Sequence, residues 1–290
     1  MDEKPDPLTI AVPRNRTALM QLLQLLVGRE KYLYWCGGVL ERKKLTKFAS
    51  KMAARYPILR NTRQRSYDRT RDLAVVQFVA FPNSNQVHWW LLSSAGAGGL
   101  ADPGMPDASV SHNAMDADHH LTLGDYVLLY ATKREPHTVT DRRSNRERVI
   151  LKDTSTWTWK LRRDVMTEIR TSIDECCKRI DYGHEGSSSQ NPWGLRGLLA
   201  AQRRRPLFAG VRNQVIDLHR YARDEWEPCR KVWIGRHSAL AARFGQTAGA
   251  LRPLNEVLTD YLPKMPRLPV YDEPRLTLRI VCEGKDEPGG

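Results

Sequence analysis

The sequence has no run of about 18 consecutive apolar residues, the minimum for a helix that crosses a bilayer, so no membrane partner is expected. Met1 to Pro13 has neither the basic start nor the apolar stretch of a secretory signal, which points to a cytoplasmic protein. Cysteine is scarce. Cys36, Cys176, Cys177, Cys229 and Cys282 form an odd set without regular spacing, which argues against a disulfide framework. No CxxC pair occurs, so a zinc ribbon or finger is not expected. The catalytic signatures GxGxxG, GxSxG and HExxH are also absent. The Gly-rich segment Ala95-Gly96-Ala97-Gly98-Gly99 lacks the Lys-[Ser/Thr] of a phosphate cradle. No catalytic residue, cofactor or metal site is therefore assigned, and a non-enzymatic role is favoured.

Acidic residues are too few to balance the basic ones. Of 290 residues, 33 are Asp or Glu and 46 are Lys or Arg, giving a net charge of +13 and a pI near 9.7. With 41% hydrophobic residues the chain is too apolar to be disordered throughout. A folded, strongly basic chain favours a polyanionic partner, DNA or RNA first, with other protein subunits as additional partners.

Periodicity gives the element order. Thr17 to Gly28 reads as a buried helix. An aromatic stretch, Tyr32 to Trp35, follows and ends at Gly37-Gly38. Glu41 to Tyr56 reads as a second helix, with Leu45, Phe48, Ala49, Met52, Ala53 and Tyr56 on one face and Pro57 as its stop. Leu73 to Pro82 and Gln86 to Ser93 read as a hairpin around Asn83-Ser84-Asn85. Ala95 to Asp118 has no period and reads as a long loop. Further strands are expected at Asp125 to Lys133, Arg148 to Lys152 and Thr156 to Leu161, with a connection over Pro136 to Arg146. Alternation in the last strand puts Trp157 and Trp159 on one face.

From Arg163 the period becomes helical. Val165, Ile169, Ile173, Cys176, Cys177 and Ile180 mark one helix, and Gly194 to Arg203 a short one. Phe208 to Trp233 marks a long helix that Pro228 should kink or break. Leu251 to Tyr261 reads as helix and Arg275 to Cys282 as an edge strand. Helices, then strands, then helices predict an α+β fold. Its central, mostly antiparallel sheet is flanked by helices, and its C-terminal half is helical. Two regions, 1–162 and 163–290, are expected to be continuous.

The candidate site is a basic surface. Lys43, Lys47, Lys51 and Arg55 are spaced by four, so on a helix they form one stripe, which Lys44 widens. Arg60, Arg63, Arg65, Arg69 and Arg71 continue it as an arm, with Tyr67 placed to stack on a base or to anchor the arm. From residue 42 to 72 only Asp68 and Asp72 are acidic. Like charges four apart repel, and a phosphate backbone offsets that cost. Arg203, Arg204, Arg205 and Arg212 make a second set, with Arg196, Arg220 and Arg223 nearby in sequence. Arg142, Arg143, Arg146 and Arg148 make a third. Trp89, Trp90, Trp157 and Trp159 suit either a stacking platform or the core.

His88 in Val-His-Trp-Trp-Leu-Leu resembles one half of the His-hydrophobe-His strand of HUH nickases, but Trp90 stands where the second histidine belongs. A metal-dependent nuclease of that type is the alternative reading, with His112, Asp116, Asp118, His119 and His120 as the other His/Asp cluster. A third reading is a subunit whose basic face docks a protein. Four segments, RQRSYDRTRD (63–72), VHWWLL (87–92), TWTW (156–159) and PLFAGVRNQV (206–215), resemble a group of uncharacterised proteins of bacterial plasmids and integrative conjugative elements. That resemblance implies a mobile-element setting and assigns no functional residue.

Overall fold

The computed structural model describes residues 8–29, 31–140, 147–178, 193–236 and 276–280. It is α+β, with antiparallel sheets flanked by helices. The chain divides into two compact units. The first comprises Met1–Leu123, Leu128–Trp157 and Tyr271–Gly290; the second comprises Gly124–Val127 and Thr158–Val270.

In the first unit the outermost strands close the chain. β1 (Leu8–Val12) pairs antiparallel with β9 (Leu276–Ile280), Ile10 opposite Leu278. α1 (Arg16–Gly28) starts where the Asn15 side chain accepts from the Ala18 N–H at 2.8 Å. It buries Leu19, Met20, Leu22, Leu23, Leu26 and Val27.

The main sheet is four-stranded, in the order β3 (Val76–Asn83), β4 (Gln86–Ser93), β2 (Tyr34–Glu41), β5 (His112–Asn113). All of its pairings are antiparallel. The expected aromatic stretch is thus the start of β2, which runs straight through Gly37-Gly38. Glycine is required there by packing: a Cβ on Gly37 would lie 2.8 Å from the Trp89 carbonyl oxygen. Register puts Cys36, Leu91, Phe78 and their alternate neighbours on one face. α2 (Leu45–Arg55) covers that face with Leu45, Ala49 and Met52. The expected second helix is therefore shorter at its start: β2 takes Glu41, and Arg42–Lys44 form a 3-10 turn.

One other expectation changes. The basic arm is a helix, α3 (Thr62–Thr70). The segment after β4 is pinned by its own turns. Asp102 accepts from the Gly98 and Gly104 N–H groups at 2.7 and 2.9 Å, which holds its carboxyl below the usual range.

β6 (Thr122–Leu123), β7 (Tyr126–Thr140) and β8 (Glu147–Leu161) form a three-stranded sheet in that order. The two strands expected at Arg148 to Lys152 and Thr156 to Leu161 are one, and β7 continues into the expected connection. Within the second unit, α4 (Arg163–Lys178), α5 (Trp193–Arg203) and α6 (Ala209–Arg236) pack on one another. Gln214 clamps the end of β8, accepting from the Leu161 N–H at 2.7 Å and donating to its carbonyl at 3.1 Å. α6 runs through Pro228 without a break. The helix expected at Leu251 to Tyr261 lies outside the described residues.

Candidate nucleic-acid interface

The basic surface of the first unit is built on three consecutive pieces. On the 3-10 turn, Lys43 and Lys44 each reach back to Glu41, with Nζ to carboxylate distances of 3.0 and 3.1 Å. Hydrogen bonds from Lys43 first, then Lys44, hold the Glu41 carboxyl below its ordinary value. Both lysines are exposed. Because they lie on the turn, the helical stripe starts at Lys47. On α2, Lys47 and Lys51 are exposed, on the side away from buried Leu45, Ala49 and Met52.

Arg55 ends the stripe differently. Its Nη1 lies 3.2 and 3.3 Å from the two Asp107 oxygens, and Tyr56 donates to the same carboxylate at 2.9 Å. Asp107 thus ties the end of α2 to the segment that follows β4. Burial, then the Asp107 carboxylate, raise the Tyr56 hydroxyl far above its usual value and push the Cys36 thiol up to about 12. A thiol of that kind is inert at neutral pH.

α3 carries almost no apolar residue. Its start is a reciprocal capping box: Asn61 accepts from the Gln64 N–H and the Gln64 side chain accepts from the Asn61 N–H, both at 2.9 Å. Its buried residue is Asp68, whose carboxylate lies 3.3 Å from Arg60 Nε as an ion pair without hydrogen-bond alignment. Asp68 therefore faces inward, and Arg63, Tyr67, Arg69, Arg71 and Asp72 face solvent, with Arg65 half-buried. Tyr67 is 54% exposed, and the Arg71 guanidinium lies 4.4 Å over its ring. Arg69 lies 5.8 Å over the Tyr32 ring.

Two cavities open beside α3, and residue spacing gave no sign of them. One, of about 260 Å³, lies between Leu22, Leu25 and Leu26 of α1 and Thr62, Arg65 and Arg69 of α3. The other, of about 550 Å³, takes in Arg29, Lys31, Tyr34, Arg69 and Asp72. Arg29 and Lys31 are cations that the sequence pattern did not single out. Only their shared distance from α3 in space, not in sequence, relates them to the arm.

The second basic set belongs to the second unit. Arg205 is committed there, 2.9 Å from Asp125 and 2.6 Å from the Gln202 side-chain oxygen. Arg204 is exposed; Arg203 and Arg212 are half-buried. Arg220 and Arg223 pair with Asp217 and Asp224. Of the third set, Arg142, Arg143 and Arg146 lie outside the described residues.

The four candidate stacking tryptophans belong to the core. Trp90, Trp157 and Trp159 are buried, and Trp89 packs under α2 with its ring 4.7 Å from Phe48. His88 stacks on Trp90, while His112 and His119 stack on each other 4.6 Å apart. Among the described residues no three His, Cys, Asp or Glu side chains converge as metal ligands. Among them, too, no helix is long and apolar enough to cross a membrane. Comparison with protein-family models, curated proteins and solved structures found no match to this chain.

Proposed function

We propose that this chain is a non-enzymatic nucleic-acid-binding protein of a bacterial mobile element. It holds the phosphate backbone on the surface of α2 and α3 and works as a subunit of a larger nucleoprotein complex in the cytoplasm. One observation carries the binding role. Of the two acids between residues 42 and 72, Asp68 is turned inward onto Arg60 and Asp72 alone is exposed, against exposed Lys47, Lys51, Arg63, Arg69 and Arg71 in the same unit. Exposed Lys and Arg of one sign suit a phosphate backbone, with the planar fork of Arg donating two parallel bonds. The mobile-element setting rests on the resemblance of the four segments alone.

The test is affinity for DNA and RNA at two salt concentrations, for the wild type and for Lys47→Glu/Lys51→Glu. Each neutralised phosphate adds about 0.9 to the slope of log affinity against log salt. The double variant is expected to bind at least roughly tenfold more weakly at low salt and to flatten the slope by about 2. Equal affinity in wild type and variant removes α2 from the interface.

A further inference from the structure

We infer that the nucleic acid is single-stranded and that it threads a groove between α1 and α3, with one base entering the cavity against its leucine wall and the adjoining phosphate on Arg69. This rests on the function proposed above and narrows its ligand.

The groove has two unlike walls. α1 contributes Leu22, Leu25 and Leu26, and α3 contributes Arg65 and Arg69, one turn apart on the same side. Tyr32 forms the buried floor between them, under the Arg69 guanidinium at 5.8 Å. A duplex needs only an array of surface cations, because its bases are stacked inside and its outer edge is phosphate. It has no use for a cavity with a leucine wall. A single strand does, since its bases are unpaired and gain by burial against apolar, aromatic or guanidinium surfaces. Leu25 shows the contrast. It is 40% exposed on a helix whose neighbours Leu22 and Leu26 are buried, and it stands at the opening of the cavity beside two arginines.

Arg69 lines both cavities, so they are consecutive compartments along α3. The second adds Arg29 and Lys31 to the cationic track and Tyr34 to its aromatic surface. It also holds Asp72, which suits a base amino group or a sugar hydroxyl better than a phosphate. The phosphate therefore belongs at Arg65 and Arg69. Three left-handed backbones meet at this compartment: Lys31 at φ +64°, Asp72 at +55° and Gly96 at +127°. Non-glycine residues hold such angles only where packing enforces them, and they gather at binding sites. Cations at the ends of α1 and α3 also suit the helix dipoles. That accounts for charge at Arg29 and Arg69, but not for the leucine-walled cavity open beside them.

The experiment uses the full chain with a 5′-labelled 12-mer as single-stranded DNA, as single-stranded RNA and as duplex DNA, by fluorescence anisotropy. Wild type, Leu25→Ser and Lys47→Glu/Lys51→Glu are compared. Leu25→Ser leaves every charge in place and alters a partly exposed position. It is expected to weaken single-strand binding roughly tenfold, the worth of one buried base, and to leave duplex binding unchanged. Wild type is expected to prefer the single strand. The two single strands separate RNA from DNA, and a preference for either supports the groove. As an independent readout, a photoreactive 5-iodouracil strand should crosslink to Tyr34, the half-buried ring of the adjoining compartment, in the wild type. Wild-type affinity as high for duplex as for single strand, or single-strand affinity indifferent to Leu25→Ser with no crosslink at Tyr34, overturns the groove. If the charge variant still loses affinity for both forms, the basic surface stands and only the groove falls. If the wild type binds no strand, both fall.

Discussion

Gly96 sits where the chain crosses itself. The Ala74 N–H donates to the Ala97 carbonyl and the Ala97 N–H to the Asp72 carbonyl, at 2.9 and 3.0 Å. Between those bonds Gly96 is at φ +127°, and a Cβ there would lie 2.6 Å from the Asp72 oxygen and 2.7 Å from the Ala74 nitrogen. A methyl group meets both penalties at once, a backbone angle closed to L residues and a collision with main chain that cannot rotate away. Gly96→Ala is expected to cost about 2–4 kcal/mol in urea unfolding. Gly98 separates the two penalties, because it is at φ +74° with no atom within 4 Å of its would-be Cβ. Gly98→Ala should cost only about 1 kcal/mol. Equal losses at the two positions would show that the close approach contributes nothing. The same crossing holds one wall of the larger cavity, so its rigidity bears on the site as well as on the fold.

α3 is an element held by its ends rather than by an apolar face. Its two reciprocal cap bonds and the inward Asp68 replace the stripe that fixes α2. Asn61→Ala should therefore act locally. It is expected to cost about 1 kcal/mol, to speed amide exchange of residues 64–70 and to weaken nucleic-acid binding, with α2 amides unaffected. Spread of faster exchange into α2 would contradict this local role. The same physics decides what was legible in the sequence. α2, α4 and the β3–β4 hairpin were readable because apolar periodicity and turn residues act over a few positions. α3 has no such period, although Asn61 and Gln64, three apart, carry a capping-box signature that could have found it. Gly37-Gly38 read as a stop because their purpose, room for Trp89, lies on another strand. β1 was invisible, since its partner β9 is at the other end of the chain. The basic site was legible as a density of charge. Which cations were already spoken for was not: Arg55 meets Asp107 and Arg205 meets Asp125, partners that only folding brings near. The cavities beside α3 were hidden for the same reason, being shared between helices some 40 residues apart.

At the scale of the molecule, the +13 charge is unevenly held, and acid adds to it through eight histidines. One of these lies in a core. His219 on α6 is 1% exposed, with Nδ1 2.8 Å from the Val215 carbonyl and Nε2 buried without a hydrogen-bond partner. The carbonyl accepts, so Nδ1 carries the proton of the neutral ring and Nε2 is a bare lone pair. Burial lowers the proton affinity of His219 below the usual value of 6.5; the Val215 hydrogen bond opposes the shift and nearby Arg203 adds to it. The sign follows from linkage. Below 6.5 the unfolded chain takes up a proton that the native chain refuses, so the stabilising contribution is complete above 6.5 and is lost as pH falls beneath it. One proton gives a slope of at most about 1.4 kcal/mol per pH unit. Because two units need not unfold together, a global midpoint can miss the effect. Amide exchange along α6, compared at pH 7.5 and 5.5, reports the unit that contains it. The wild type should lose protection at the lower pH, after correction for intrinsic exchange rates. His219→Leu keeps the site filled, removes the titrating group and should hold its protection across the same interval. General repulsion among the accumulating cations would act on both proteins alike. A variant whose α6 loses as much protection as the wild type would therefore assign the acid sensitivity to overall charge and not to His219.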